Sequence, residues 1–324
     1  MRVLLIKMSS LGDVLNALVG VTDAVRARPE ITFDWVVEEA YLDIPGWHPA
    51  VQKIIPIALR RWRKELLKTL RTFEWLQFRK ELRRTKYDVV LDAQGLYKSA
   101  WVGGHARGSL VGRSAGSARE GGAALLYTRR YAVDLQRPEV EQVRELFAAA
   151  LGYPTAEGPA DFGIDLRRIG SARIKPPYAV LLHGAAWSSK LWPEENWILI
   201  GKNLQKRGLK VLLPWGNEAE QKRARQIASH CGGEVLEKMA IGGLAPTLAK
   251  ARLAVGLDTG LTHASVAFGV PTITLYGPSV PIFNKVAGAR LIMLTSSESN
   301  KVNTSRPNTV AAERVVEAIN ELLG

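Results

Sequence analysis

The first 26 residues, MRVLLIKMSSLGDVLNALVGVTDAVR, decide how the rest of the chain is read. Val3 to Ile6 is a short, uninterrupted aliphatic run, the pattern of a strand buried on both faces of a parallel sheet. A polar, Gly-containing turn follows. From Asp13 to Arg26 apolar residues recur at helical spacing (Val14, Leu15, Leu18, Val21, Val25), and Pro29 ends the pattern. This is one strand, loop, helix unit. The alternation continues with strands expected at Phe33 to Val37, near Lys53 to Ile57 and at Tyr87 to Leu91, and with one long basic helix from Arg63 to Arg84.

From Gly152 to Pro177 the chain turns rich in Pro and Gly and loses periodicity, as an inter-domain linker does. Placing the boundary inside it predicts domains of residues 1–165 and 166–324. The pattern then restarts: strands at Tyr178 to His183, Leu209 to Leu213, Leu253 to Leu257 and Thr272 to Tyr276, with helices from Pro193, Glu218 and Thr259. An amphipathic helix over 309–323 is long enough to pack against either domain. The expected fold class is therefore α/β, two doubly wound domains with a cleft between them and ligand loops at the carboxyl ends of the strands.

Composition narrows the partners. The 324 residues hold 44 Lys and Arg against 31 Asp and Glu, a net charge of +13, which favours an anionic partner: nucleic acid, anionic lipid or a phosphorylated substrate. A single cysteine, Cys231, excludes an internal disulfide framework and fits a reducing compartment. The opening apolar run is too short for a signal-peptide core, and no stretch approaches the roughly 18 to 20 apolar residues of a spanning helix. The expected location is cytoplasmic, with any membrane contact peripheral.

Five loops carry candidate chemistry. Lys7 to Asp13 sits where a ligand loop belongs, although Asp13 would also serve as an ordinary helix N-cap. Neither G-x-G-x-x-G nor G-x-x-x-x-G-K-[ST] occurs, which argues against dinucleotide dehydrogenases and P-loop enzymes. Asp258-Thr259-Gly260-Leu261-Thr262-His263 resembles an aspartic protease triplet, but such enzymes need two of these carboxylates, and here the segment runs into a helix. Its N–H groups and dipole suit a pyrophosphate, with Gly260 admitting close approach, while His263 alone would read as a buried structural histidine. In His183 to Pro193, Lys190 could offset charge on a leaving phosphate, or simply be solvated. In Pro214 to Glu220 a carboxylate could accept ribose hydroxyls, or favour a helix start. The run from Arg60 to Lys86 holds 11 Lys or Arg against three acids and opens with Arg60-Arg61-Trp62-Arg63-Lys64, beyond what a solvated helix face requires.

Together the ordered motifs K-M-S-S-L-G-D-V-L, F-D-W-V-V-E-E, R-R-W-R-K, L-D-A-Q-G-L-Y-K-S, S-A-R-E, S-K-L-W-P-E-E, L-P-W-G and D-T-G-L-T-H closely resemble the ADP-heptose:lipopolysaccharide heptosyltransferase family, over nearly the whole chain. The resemblance implies an inverting GT-B glycosyltransferase of two Rossmann-like domains. It implies a donor, ADP-L-glycero-D-manno-heptose, held mainly by the C-terminal domain, and an acceptor, Kdo-bearing lipid A, held mainly by the N-terminal domain at the inner-membrane surface. Nucleic acid is not the implied partner. R-R-W-R-K and S-A-R-E favour the first heptose transfer of the inner core.

Carried over residue by residue, Asp13 matches the general base that takes the acceptor proton. Lys190 is the second catalytic candidate, stabilising the departing pyrophosphate; Ser188, Ser189, Asp258, Thr259, Gly260, Leu261 and His263 match the donor site, and Glu220 the ribose-binding glutamate, with Glu218 its neighbour. Ser10, Gly12, Arg60, Arg61, Arg63, Lys64, Gln94, Lys98 and Arg119 match acceptor-side positions. ADP is already a good leaving group and no Asp-x-Asp pair occurs, so neither a cofactor nor a metal is expected. One departure is Ala185 and Ala186, where some relatives carry hydroxyls beside the donor phosphates; Ser188, Ser189 or backbone N–H groups would replace them. Two rivals stay open here: a heptosyltransferase acting on the next sugar, and a non-catalytic protein using the basic face for RNA or anionic lipid.

Overall fold

The structure is a computed structural model that describes residues 1–65, 69, 71–277, 290–296 and 308–324. The chain divides into two compact units, Met1–Arg168 and Ile169–Gly324. The first contains strands β1 (Arg2–Ile6), β2 (Thr32–Glu38), β3 (Val51–Ile57), β4 (Lys86–Asp92), β5 (Arg107–Arg113) and β6 (Arg129–Tyr131). Its principal helices are α1 (Leu11–Ala27), α2 (Leu59–Lys64), α3 (Glu74–Arg83), α4 (Tyr97–Gly103) and α5 (Glu139–Leu151). The strands form one parallel sheet in the order β3-β2-β1-β4-β5-β6. Val3 to Ile6 lie wholly inside it, as an aliphatic run without alternation requires.

The second unit repeats the design. Its strands are β7 (Tyr178–Leu182), β8 (Lys210–Leu213), β9 (Glu234–Val235), β10 (Leu253–Leu257), β11 (Thr272–Tyr276) and β12 (Leu291–Thr295). Its helices are α6 (Glu194–Lys206), α7 (Glu218–Cys231), α8 (Ile241–Ala249), α9 (Gly260–Ala267) and α10 (Ala312–Leu323). The sheet is again parallel, β12-β11-β10-β7-β8-β9, the same winding read from the other edge. In both sheets the strand order reverses beside the first strand, between β1 and β4 and between β7 and β10. Those reversals are where a doubly wound sheet opens a crevice for ligands.

One expectation is corrected. The basic segment is not one helix over 63–84: α2 ends at Lys64, and Phe73, at φ 52°, takes the left-handed conformation immediately before α3. Lys68, within that run, and Pro278, after β11, lie outside the described residues. Helix α10 packs within the second unit, its Val315, Ile319 and Leu322 joining the core that holds Trp192 and Trp197. The linker also carries the chain through Gly158, Gly163 and Gly170 at positive φ, as its composition implies.

Two close approaches set the elements that carry the site. A Cβ on Gly20 would stand 2.6 Å from the Phe147 ring, so glycine in the middle of α1 lets α5 lie against it. A Cβ on Gly256 would stand 2.2 Å from the Thr262 hydroxyl, so glycine at that point of β10 lets the start of α9 settle onto the strand.

Candidate active site

In the first unit the loop after β1 is organised from below. Asp92, fully buried at the end of β4, accepts hydrogen bonds from Tyr127 Oη (2.7 Å), Ser99 Oγ (2.8 Å) and the Gln94 and Gly95 amides (2.8 and 3.1 Å). Burial pushes its carboxyl above the usual range, against those four donors. The turn so fixed aims Gln94 Oε1 at the Met8 amide (2.8 Å). Neighbouring strands of the switch point thereby hold the β1 loop.

Asp13 is not the N-cap. Ser10 caps α1, and Asp13, three residues on, reaches back so that Oδ2 accepts both the Ser10 amide and the Ser10 hydroxyl, each at 2.8 Å. Its other oxygen accepts Arg119 Nη2 at 2.5 Å and faces Lys7 Nζ at 3.5 Å. Arg119 also binds Glu139 Oε1 at 2.9 Å, from the first residue of α5. Burial would raise the Asp13 carboxyl, but Lys7, Glu139, Arg119 and the Ser10 amide together hold it well below the usual carboxylate range. Glu139 moves the opposite way, pushed up by burial and by Asp13. Two carboxylates thus share one arginine, which is itself 45% exposed.

Beside this loop, Met8, Ser9, Glu38, Leu59, Arg60, Arg63 and Lys98 line a recess of about 290 Å³. Buried Glu38 at the end of β2 accepts the Leu59 and Arg60 amides (3.1 and 2.8 Å), fastening the start of α2 so that Arg60 and Arg63 face the recess. Lys64 is exposed at the end of the same helix. Arg61 is placed elsewhere: it binds Glu39 (3.1 Å) and Glu74 (2.9 Å), tying α2 to α3, and those carboxylates raise its pKa further. The acceptor-side set therefore divides into a recess group, a group around Asp13 (Ser10, Gly12, Gln94, Arg119) and a structural clamp at Arg61.

In the second unit Asp258 directly follows β10, and Thr259 opens α9 with no side chain capping it. Asp258 Oδ2 accepts Lys190 Nζ at 2.7 Å, and Oδ1 lies 3.2 Å from His263 Nε2. Burial opposes ionisation, but His263 and Lys190 more than offset it and hold the carboxyl far below its ordinary value. Lys190 closes a short turn over Ser188–Lys190 that brings Ser188 and Ser189 to the surface. Thr259, Gly260 and Leu261 remain partly exposed, so the helix presents amides outward.

Glu220 lies at the start of α7 as Asp13 lies at the start of α1. Asn217 caps the helix, and Glu220 accepts the Gly216 amide (2.7 Å) and Asn217 Nδ2 (2.9 Å). A Cβ on Gly184 would come within 2.7 Å of the Glu220 carboxyl carbon, which places this carboxylate over the β7 loop. Glu218 is exposed at the first helical position.

Three contributors were not among the expected site residues. Lys7 stood in the quoted motif, and a lysine directly after a buried aliphatic run is itself a signal, since its ammonium needs a partner. Asp92 carries a weaker signal of the same kind. Glu139 has none, because it reaches Asp13 only through the packing of α5 on α1.

Two doubly wound parallel sheets, each with polar ligand loops at its point of strand reversal, are the build of a GT-B glycosyltransferase. The description "Glycosyltransferase family 9 (heptosyltransferase)" matches residues 75–312. Lipopolysaccharide heptosyltransferase 1 of Pseudomonas aeruginosa is 46% identical over 298 residues, 91% of this chain and 84% of that protein. Among solved structures, the E. coli heptosyltransferase WaaC with ADP matches at a TM-score of 0.88 and 39% identity, covering 99% of this chain and 100% of that one. Its complex with ADP-2-deoxy-2-fluoro heptose matches at 0.85 and 39%, covering 99% of each. The chain belongs to glycosyltransferase family 9, the heptosyltransferases.

Proposed function

We propose that this heptosyltransferase transfers L-glycero-D-manno-heptose from ADP-heptose to a Kdo residue of Kdo-bearing lipid A, with inversion. The observation that carries the reading is that each unit bears its own polar cluster at its switch point: a buried, ionised Asp13 in the first, and Asp258 with Lys190 at the start of α9 in the second. In one displacement the Kdo hydroxyl oxygen bonds to the anomeric carbon as the bond from that carbon to the ADP oxygen breaks. The hydroxyl proton passes to Asp13, and the electron pair leaves on ADP. Lys190 and the amides of α9 stabilise the charge gathering on the pyrophosphate. Glu220 takes the ribose hydroxyls, and Arg60, Arg63, Lys98 and Arg119 hold the acceptor's carboxylates and phosphates.

Arg119 links binding to chemistry in this scheme. An acceptor carboxylate that draws the half-exposed guanidinium away would leave Asp13 a stronger base at the moment it is needed. The heptosyltransferase 1 relatives support the first inner-core transfer over the next. The acceptor places the enzyme peripherally on the cytoplasmic face of the inner membrane, and no described helix is long and apolar enough to cross it.

The test is transfer by the purified chain, supplied with ADP-heptose and a deacylated, water-soluble Kdo acceptor in the presence of a chelator. Stoichiometric ADP release with one heptose added to the acceptor mass is expected. A folded protein that leaves both unchanged would overturn the assignment.

A further inference from the structure

Six of the large apolar side chains that this protein leaves exposed come from one stretch of the first unit: Phe73, Leu76, Tyr97, Trp101, Leu125 and Leu126. Contacts tie together the elements that carry them. Trp75 stacks on Trp101 with ring centroids 4.5 Å apart, setting α3 beside α4. Tyr97 lies one turn before Trp101 on α4, and its ring rests where a Cβ on Gly122 would be. Gly122 is the second residue of the short helical turn Gly121–Leu126 that ends in Leu125, 79% exposed, and Leu126.

The charge around this face is mainly positive, the exception being exposed Glu120, whose carboxylate accepts the Tyr97 amide at 2.7 Å. Leu76, Lys80 and Arg83 follow one another at helical spacing on the outer side of α3, opposite buried Phe78 and Leu82. Lys98 stands beside Tyr97, and Arg129 and Arg130 follow Leu126. Lys80, Arg83, Lys98, Arg129 and Arg130 make no ion pair among the described residues. The nearby carboxylates are already taken, Glu74 by Arg61 and Glu81 by Lys53 and Arg84.

We propose that the face formed by α3, α4 and the Gly121–Leu126 turn docks on an anionic phospholipid bilayer. Aromatic and leucine side chains enter the headgroup boundary while the cations meet lipid phosphates. Lys98 belongs both to this face and to the recess with Arg60 and Arg63, so the docked surface borders the acceptor recess. A lipid anchored in the bilayer can then present its sugar to that recess without leaving the membrane. This part of the inference rests on the proposed acceptor.

The test is co-sedimentation with vesicles of phosphatidylethanolamine and phosphatidylglycerol, roughly three to one, and with phosphatidylcholine alone. The wild type is compared with Leu76→Ser/Leu125→Ser/Leu126→Ser and with Lys80→Gln/Arg83→Gln. Wild type is expected to bind the anionic vesicles and not the neutral ones. Each variant is expected to bind about tenfold more weakly, yet to transfer heptose to the deacylated acceptor at the wild-type rate. Circular dichroism melting separates lost docking from lost folding, and should any variant melt early, Leu125→Ser alone carries the comparison. Full vesicle binding by the folded variants would overturn the proposal, as would no binding by wild type. So would a wild-type dimer that the apolar variant converts to monomer. Failure of the wild type on the water-soluble acceptor would instead strike at the proposed reaction, leaving the docking result to stand by itself.

Discussion

Asp13 is held by more positive charge than a carboxylate needs to stay ionised. Since it acts as a base only when ionised, its contribution falls as pH drops through its pKa, and that pKa lies below the ordinary carboxylate value. The profile of kcat/KM, which reports the free enzyme, should therefore show no acid limb from Asp13 between roughly pH 5 and 8. Arg119→Gln removes one of the groups that lower it and leaves burial, which raises it, less opposed. The acid inflection should move upward, with an increased acceptor KM. An inflection that stays in place would show that Arg119 does not govern Asp13. Asp13 was legible because it follows a buried strand within a few residues, whereas its partner Glu139 was not, since nothing near residue 139 records what α5 packs against.

At the scale of elements, close packing at glycine does the positioning. Gly256→Ala puts a methyl against Thr262 at the first turn of α9 and should shift the helix from which the donor amides point. ADP affinity measured by calorimetry is expected to fall while acceptor affinity is retained; unchanged ADP binding would mean that α9 is not the donor platform. Buried Arg144 and Asp23 join α5 to α1 at 2.7 Å. Asp23→Ala should destabilise the first unit by about 3 kcal/mol, read by denaturant unfolding, because it leaves the buried guanidinium only the longer 3.4 Å contact to Glu141 and the Gly158 carbonyl.

The strands beside the motifs were readable as short apolar runs bounded by turns. Those between residues 92 and 151 were not: β5 reads RGSLVGR, with an exposed, polar first half, and β6 is only three residues long. The basic stretch misled for a related reason. Trp75, Phe78 and Leu82 continue a helical pattern across Phe73, where the backbone leaves the helix, and periodicity carries no mark of that break.

For the molecule as a whole, fold and family were legible because the two units repeat one winding and each sets its motifs directly after central strands. The net charge of +13 indicated an anionic partner, but only the folded chain divides that charge into recess, clamp and outer face. Acid should act on both units. Asp13 and Asp258 are depressed below the unfolded carboxyl value of about 3.9, so their stabilisation is present above that pH and is lost as pH falls through the folded values. Asp258→Asn should accordingly flatten the acid side of the melting temperature's pH dependence; a slope equal to wild type would contradict the ion-paired state of Asp258.

The most direct measurement is transfer from ADP-heptose to Kdo-bearing lipid A by wild type and by Asp13→Asn, with metal chelated and donor affinity measured in parallel. Wild type should add one heptose. Asp13→Asn should bind the donor unchanged while turnover falls by about 10²-fold or more. A folded Asp13→Asn protein that transfers heptose within a few-fold of wild type would contradict the assignment of Asp13 as the base.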